Sequence, residues 1–220
     1  MNTFIFDNDG TLLDSEKIYL KSWEAVAKKY NFKFTIEAKK RINGKNFFET
    51  TDIIAEMFNF EHDIAHIINM EMNQMRTEMI NNYEGSLYKP YIKELLDYLK
   101  NKKYKLGMAT ASSKERLDIL YGREKEDIRK YFDVIVTGDE VKACKPNPQI
   151  FNTTMEMLES KPEDTFIIED SNTGIRAARL SGATAVLVVD IDDSDEIKED
   201  ANLVFNDFKE FIEYLEENNI

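Results

Sequence analysis

Thr3-Phe-Ile-Phe-Asp7-Asn-Asp9-Gly10-Thr11-Leu-Leu-Asp14-Ser15 is the stretch on which the fold turns. Thr3 to Phe6 is a short apolar, aromatic-rich run with the composition of a buried strand, and Gly10 breaks it just after two carboxylates. Side chains alternate along a strand, so Asp7 and Asp9 leave the same face, where two carboxylates repel at close range. That repulsion calls for a positive charge between them. A divalent cation supplies it, and Mg²⁺ suits a site with few hard oxygen ligands whose other positions go to water or substrate phosphate. Asp7 is then expected to act as a nucleophile toward a phosphoryl group, forming an aspartyl phosphate. Asp9 is expected to protonate the leaving oxygen and later to deprotonate the attacking water. The alternative is a strand that simply runs into an acidic turn.

The 220 residues suffice for one large domain or for a core with a smaller insert, and 42% hydrophobic content is enough for a real core. Formal net charge is −13, from 29 basic against 42 acidic side chains, and no long basic run occurs. Binding to nucleic acid or to an anionic membrane surface is therefore not expected. The acidity also means that any phosphate site must draw positive charge locally, from metal, lysine and backbone amides. A single cysteine, Cys144, excludes an internal disulfide and fits a reducing compartment. The start lacks a basic region and a long apolar region, and no apolar run approaches ~18 residues. A cytoplasmic protein is expected, with no obligate protein partner evident.

From Ser15 to Tyr30 the positions Tyr19, Trp23, Val26 and Tyr30 recur at helical spacing, with Ser15 as the expected N-cap. Further helical patterns start near Glu37, run through Ile53, Ile54, Met57 and Phe58, and then through Ile64, Ile68, Met72, Met75 and Met79. The methionines read as adaptable core filler. His62-Asp-Ile-Ala-His66 resembles a helical zinc clamp, but its acid is one methylene short and no third histidine exists. Residues 15–87 thus predict an all-helical cap domain inserted after the first strand, with 1–14 and 88–220 forming the core.

After the Gly- and Pro-bearing return segment Tyr83 to Pro90 the pattern alternates. Strands are expected at Lys105–Thr110, Asp133–Thr137, Thr165–Ile168, Thr184–Val189 and Leu203–Phe205, separated by helices. One of these is expected from Thr173 to Ser181, started and stopped by glycine. This predicts an α/β fold, a Rossmann-like doubly wound parallel sheet whose functional crevice lies at the strands' C-terminal ends. Polar groups cluster there: Asp7 and Asp9, Thr110 with the amides of Ala111 and Ser112 as a phosphoryl cradle, and Glu169 with Asp170 for a metal. Lys145 precedes Pro146 and Pro148, which stiffen the backbone and aim its ammonium inward. Asn172 and Gly174 shape the following turn. Asp190 to Glu196 reads as a solvated acidic loop, since it lacks the glycine and the spacing of a calcium loop.

Asp7-Asn-Asp9-Gly-Thr11, Ala109-Thr110-Ala-Ser112, Lys145-Pro-Asn-Pro148 and Ile168-Glu169-Asp170-Ser171-Asn172-Thr-Gly174, in this order over nearly the whole chain, resemble the motifs of the haloacid-dehalogenase superfamily. The helical insert directly after the first motif is similar to the branch holding β-phosphoglucomutase, phosphoglycolate phosphatase and small sugar-phosphate phosphatases. The resemblance implies a cap of four or five helices that closes over small phosphorylated metabolites. It also implies Mg²⁺ held by the Asp7 side chain, the Asp9 main-chain carbonyl and Asp170, with Glu169 binding directly or through water. Arg41-Ile-Asn-Gly-Lys45 looks like the substrate loop of such a cap, with Lys45 reaching the far end of the substrate.

Asp9 selects phosphoryl transfer within this superfamily, because a second Asp as acid/base is what an ester with a poor leaving group requires. A phosphatase acting on a small phosphorylated metabolite, a sugar phosphate by preference, is expected. The alternatives are a phosphosugar mutase and a non-catalytic binding protein on the same fold. Tyr19 stands where the mutases carry an assisting histidine, which favours the hydrolase. Asn8 occupies a position usually apolar in relatives, Gln149 one often Asp, and Tyr91 one often Gly.

Overall fold

The computed structural model describes residues 3–42, 45, 47–192 and 194–220, and the chain divides into two compact units, Met1–Asp14 with Leu87–Ile220, and Ser15–Ser86. Among the described residues the order is β1 (Thr3–Phe6), α1 (Glu16–Lys29), α2 (Ile36–Ile42), α3 (Phe47–Phe58), α4 (His62–Asn81) and α5 (Ile92–Asn101). Then follow β2 (Lys105–Ala109), α6 (Lys114–Gly122), β3 (Val134–Val136), α7 (Gln149–Met157) and β4 (Thr165–Glu169). The chain ends with α8 (Asn172–Leu180), β5 (Thr184–Val188), α9 (Asp195–Asp200), β6 (Leu203–Phe205) and α10 (Phe208–Glu217). No helix among the described residues is long and apolar enough to cross a membrane.

The six strands form one sheet in the order β3-β2-β1-β4-β5-β6, and every pairing is parallel. Such sheets need cover on both faces, which is why β1 is apolar and buried throughout. Ile5 joins Ile167, Phe151 of α7 and Ile175 of α8 in one core cluster. Phe4, one residue earlier, faces the other way, stacked on Phe166 at 5.0 Å and set against Phe211 of α10. Each fully buried side chain of this size contributes about 1.5–3 kcal/mol. The order reverses between β1 and β4, which puts the open crevice at the carboxyl ends of these two central strands.

The helical unit has its own core of Trp23, Val26, Ile54, Ala65, Ile68 and Met72. Trp23 stacks on Phe34 with ring centroids 4.8 Å apart. Of the methionines, Met72 is buried in this core and Met75 packs against it. His62 lies 3.1 Å from Asp52, and His66 packs edge-on against Phe47, so the two histidines have separate partners.

Three local expectations are corrected. Ser15 does not cap α1 through its side chain; it already has helical dihedrals, and its carbonyl accepts from the Ile18 and Tyr19 amides at 3.0 and 3.1 Å. The helix of the fourth motif starts not at a glycine but at Ser171, whose hydroxyl accepts the Gly174 amide at 3.1 Å. The acidic stretch after β5 is not simply solvated: the Asp190 carboxylate takes the Lys89 ammonium at 2.6 Å, and α9 begins at Asp195. Asp193 lies outside the described residues, as do Asn43 and Gly44 of the expected substrate loop.

The segments that leave and re-enter the sheet unit run side by side, with the Asp14 amide on the Leu87 carbonyl at 2.7 Å and the Lys89 amide on Leu12 at 3.0 Å. Just beyond, Tyr91 has φ 64°, the left-handed region that glycine tolerates and a tyrosine does not favour. Its side chain is 43% exposed, so little packing compensates. Tyr91→Gly is expected to leave the fold unchanged and to raise unfolding free energy by about 0.5–1 kcal/mol, the relief of left-handed strain exceeding the added chain entropy; equilibrium urea denaturation measures it, and a loss of stability would show that the tyrosine ring packs more than its exposure suggests.

Candidate active site

Asp7 is the first residue after β1, and its amide still donates to the Ile168 carbonyl of β4 at 2.9 Å. Its side chain therefore starts from the boundary between the two strands where the order reverses. By strand parity it continues the face of Ile5, the face covered by α7 and α8. Waiting there is Lys145, 3% exposed, whose Nζ lies 2.6 Å from Asp7 Oδ1, 2.5 Å from Glu169 Oε1 and 3.3 Å from the Ala109 carbonyl, above the Phe151 ring. Burial alone would pull the lysine's pKa down, but the Asp7 and Glu169 carboxylates outweigh it and hold the ammonium charged.

The loop that delivers Lys145 is fixed by Gln149, whose Oε1 accepts the Lys142 and Ala143 amides at 3.0 and 2.9 Å, while Asn147 Oδ1 takes the Gln149 amide. The neutral amide oxygen does here what a carboxylate would do at the same position.

Glu169 and Asp170 close the opposite side. Glu169 is engaged on both oxygens: Oε1 accepts from Lys145, and Oε2 accepts from the Asp170 and Ser171 amides and the Ser171 hydroxyl at 3.0–3.3 Å. Asp170 Oδ1 accepts from the Thr11 hydroxyl at 3.0 Å. Both carboxylates rest against glycines. A Cβ at Gly10, which has φ +85°, would lie 2.2 Å from Asp170 Oδ2, and one at Gly174 would lie about 2 Å from the Glu169 carboxylate. Close approach thus requires glycine at both positions, and at Gly10 the left-handed φ requires it as well.

Carboxylate oxygens of Asp7, Glu169 and Asp170 all lie within 4.8 Å of one another. Three buried carboxylates face one ammonium, which leaves excess negative charge. Burial pushes the Asp7 carboxyl well above the ordinary carboxylate range; Lys145 opposes this, while Glu169 and Asp9 add to it. A divalent cation fits such a donor set, being hard, oxygen-seeking and able to offset the surplus. Asp7 and Asp170 keep a small exposure, 8% and 6%, whereas Glu169 has none.

On the β2 side, Thr110 Oγ1 accepts the Ser112 amide at 3.0 Å, which leaves the hydroxyl proton to be donated. The cap of α6 is Ser113, not Thr110. Ser112 Oγ donates to Asp9 Oδ2 at 2.7 Å, so its side chain serves the second aspartate and its amide serves Thr110. The structure therefore gathers Asp7, Asp9, Thr110, Ser112, Lys145, Glu169 and Asp170 in one unit, along the strand ends. Asn172 is the first residue of α8, next to the Ser171 cap. Lys45 belongs to the helical unit, where its ammonium lies 3.4 Å from Glu49. Thr11, Ser171 and Tyr121, whose hydroxyl donates to Asn8 Oδ1 at 2.7 Å, are supports that the motif pattern alone does not name; Thr11 and Ser171 sit inside the motifs, whereas nothing local points to Tyr121.

The family model described as haloacid dehalogenase-like hydrolase matches residues 4–188. A phosphorylated carbohydrates phosphatase of Thermotoga maritima is 32% identical, over 83% of this chain and 82% of its own length. Fructose-1-phosphate phosphatase YqaB of Escherichia coli is 28% identical over 83% of this chain and 93% of its own. The crystal structure of β-phosphoglucomutase from Clostridium difficile shares the fold with a TM-score of 0.81 at 26% identity, covering 99% of this chain and 96% of that one. With the four motifs of one catalytic pattern converging on the carboxyl ends of a parallel sheet and the family's model spanning most of its length, the chain belongs to the haloacid dehalogenase-like hydrolases.

Proposed function

We propose that this protein is a Mg²⁺-dependent phosphatase that hydrolyses a small phosphorylated metabolite, a sugar phosphate by preference. The observation that carries this reading is the state of Asp7, an accessible carboxylate at the end of β1, held through Oδ1 by a buried ammonium 2.6 Å away. Its other oxygen is available for attack. Oδ2 forms a bond to phosphorus while the ester P–O bond breaks, and Asp9 gives its proton to the departing alkoxide. Asp9 then takes a proton from water as that water attacks the aspartyl phosphate, which returns Asp7 as a carboxylate and releases inorganic phosphate. Lys145 offsets charge on Asp7 and on the transferring group, and the Thr110 hydroxyl and the Ala111 amide provide donors for phosphoryl oxygens.

Asp7 and Asp170, with the Asp9 carbonyl, would hold the metal; Glu169 would act on it directly or through water while anchoring Lys145. The cation supplies charge to the phosphoryl oxygens and offsets the carboxylates that Lys145 leaves unbalanced. Lys45 is proposed as a contact to the non-reacting end of the substrate, and Asn172 as a polar group at the α8 end of the crevice.

The likeness to β-phosphoglucomutase keeps a phosphosugar mutase as the second reading. Tyr19 speaks against it, since its phenol ring lies under the Arg76 guanidinium, 4.4 Å from it, and offers no imidazole.

Phosphate release from a panel of sugar phosphates, phosphoglycolate and nucleoside monophosphates, with the organic product followed in parallel, separates the readings. Free phosphate with dephosphorylated product supports the hydrolase, and isomerised sugar phosphate with little free phosphate supports the mutase. Asp7→Asn is expected to abolish turnover with the fold retained, and near-wild-type activity would sink the nucleophile assignment. Asp9→Asn is expected to cut turnover by ~10²–10⁴-fold, the span typical of a lost general acid/base. Saturating Mg²⁺ over chelator should stabilise the protein by about 2.7 kcal/mol at a hundred times its Kd, a shift that Asp170→Asn should remove; a midpoint indifferent to Mg²⁺ would refute the metal site.

A further inference from the structure

Asn8 lies between the two aspartates, and its side chain leaves the strand end by the opposite parity, toward α6. It is fully buried. The Tyr121 hydroxyl, on α6 and itself 1% exposed, donates to Asn8 Oδ1 at 2.7 Å. Asn8 Nδ2 in turn donates to Asp9 Oδ2 at 3.2 Å, the same oxygen that takes the Ser112 hydroxyl at 2.7 Å. The polarity of this chain suits a general acid. Asp9 Oδ2 accepts from the Asn8 NH₂ and the Ser112 hydroxyl, which leaves Oδ1 to carry the proton that Asp9 transfers; the Asn8 carbonyl then faces Tyr121, whose hydroxyl donates. Burial pushes the Tyr121 phenol well above its ordinary range, so the donor stays protonated.

Buried amides and phenols without partners are costly, and a polar pair inside a sheet–helix interface needs a reason. Aliphatic side chains would fill the same volume without that cost. We infer that Asn8, locked by Tyr121, is a positioning residue for Asp9: with Ser112 it pins the carboxylate in the orientation from which a proton reaches the leaving oxygen. This rests on the phosphatase reading above. Neither Asn8 nor Tyr121 touches substrate, and an apolar residue at position 8 could not donate to Asp9 at all.

The consequence is selective. A misaligned general acid matters for an alkyl ester, whose alkoxide cannot leave unprotonated, and matters little for an aryl ester, whose phenolate can. Loss of preorganisation of this kind reaches ~10²-fold for displacements near 1 Å. Asn8→Leu and Tyr121→Phe are compared with wild type on 4-nitrophenyl phosphate and on the sugar phosphate that the wild type hydrolyses best. The expected result is a rise of about tenfold in the ratio of aryl to alkyl kcat/KM for Asn8→Leu, and a smaller rise in the same direction for Tyr121→Phe, carried by kcat rather than KM. The double variant, which leaves no unpaired polar group, should regain thermal stability over Asn8→Leu yet keep the altered ratio, because both substitutions act through one contact.

Equal losses on the two esters, or a double variant that recovers the wild-type ratio, would overturn the positioning role and reduce the pair to packing. Should Asn8→Leu fail to fold, Tyr121→Phe, which deletes one hydroxyl, decides by the same ratio. A wild-type protein silent toward both esters would instead overturn the phosphatase reading and this inference with it.

Discussion

Lys145 is an ammonium almost wholly removed from water, and the placement of the site follows from what that requires. An ion of this size taken into the interior loses several kcal/mol of solvation, which only close opposite charge and saturating hydrogen bonds return. Asp7, Glu169 and the Ala109 carbonyl supply that environment at 2.5–3.3 Å, from the ends of three adjacent strands. Each of these groups therefore has to be where it is for the lysine to be buried at all. The constraint runs outward as well: Gln149 must hold the loop, Ser171 must satisfy the far oxygen of Glu169, and residue 174 must lack a Cβ.

Topology makes such convergence possible between residues distant in sequence. Parallel strands all present their carboxyl ends on one edge, so the segments after β1, β2 and β4 meet there although they are separated by a helical insert and several helices. The reversal of strand order at β1 and β4 opens the crevice on that edge. An insertion after β1 is tolerated because its outgoing and returning segments are hydrogen-bonded to each other at Leu12 to Asp14 and Leu87 to Lys89, so the sheet sees a closed loop.

This accounts for what could be read from the chain alone. Strands covered on both faces are apolar runs, and the central β1 and β4 announce themselves that way, while the half-exposed edge strands β3 and β6 are short; helices such as α5, with Ile92, Leu95, Leu96 and Leu99 buried, carry an equally direct periodicity. The catalytic candidates were legible because short polar motifs terminate those runs. Their partners were not. Tyr121 reaches Asn8 across 113 residues and Ser112 reaches Asp9 across 103, and no local pattern encodes a contact made only after the sheet has assembled. The Lys145 bond to Glu169 is invisible for the same reason, whereas the donors from Asp170 and Ser171 lie beside it in sequence. Backbone conformation was half legible: Tyr91 was noticed as unusual for its position, and its left-handed φ supplies the physical cause.

The hydrogen-bond inventory also divides the carboxylates by role. Glu169 holds three donors on Oε2 and the Lys145 ammonium on Oε1, so it braces the loop and the lysine together. Asp170 accepts from Thr11 and sits against Gly10, a geometry that fixes its carboxylate beside Asp7. Asp7 is anchored through Oδ1 on Lys145 and keeps a small side-chain exposure, which is the arrangement the proposed nucleophile needs. Burial that pushes the Asp7 pKa upward is the electrostatic counterpart of this arrangement. In the proposed reading, cationic charge joining Lys145 would offset the burial that opposes the ionised Asp7 carboxylate.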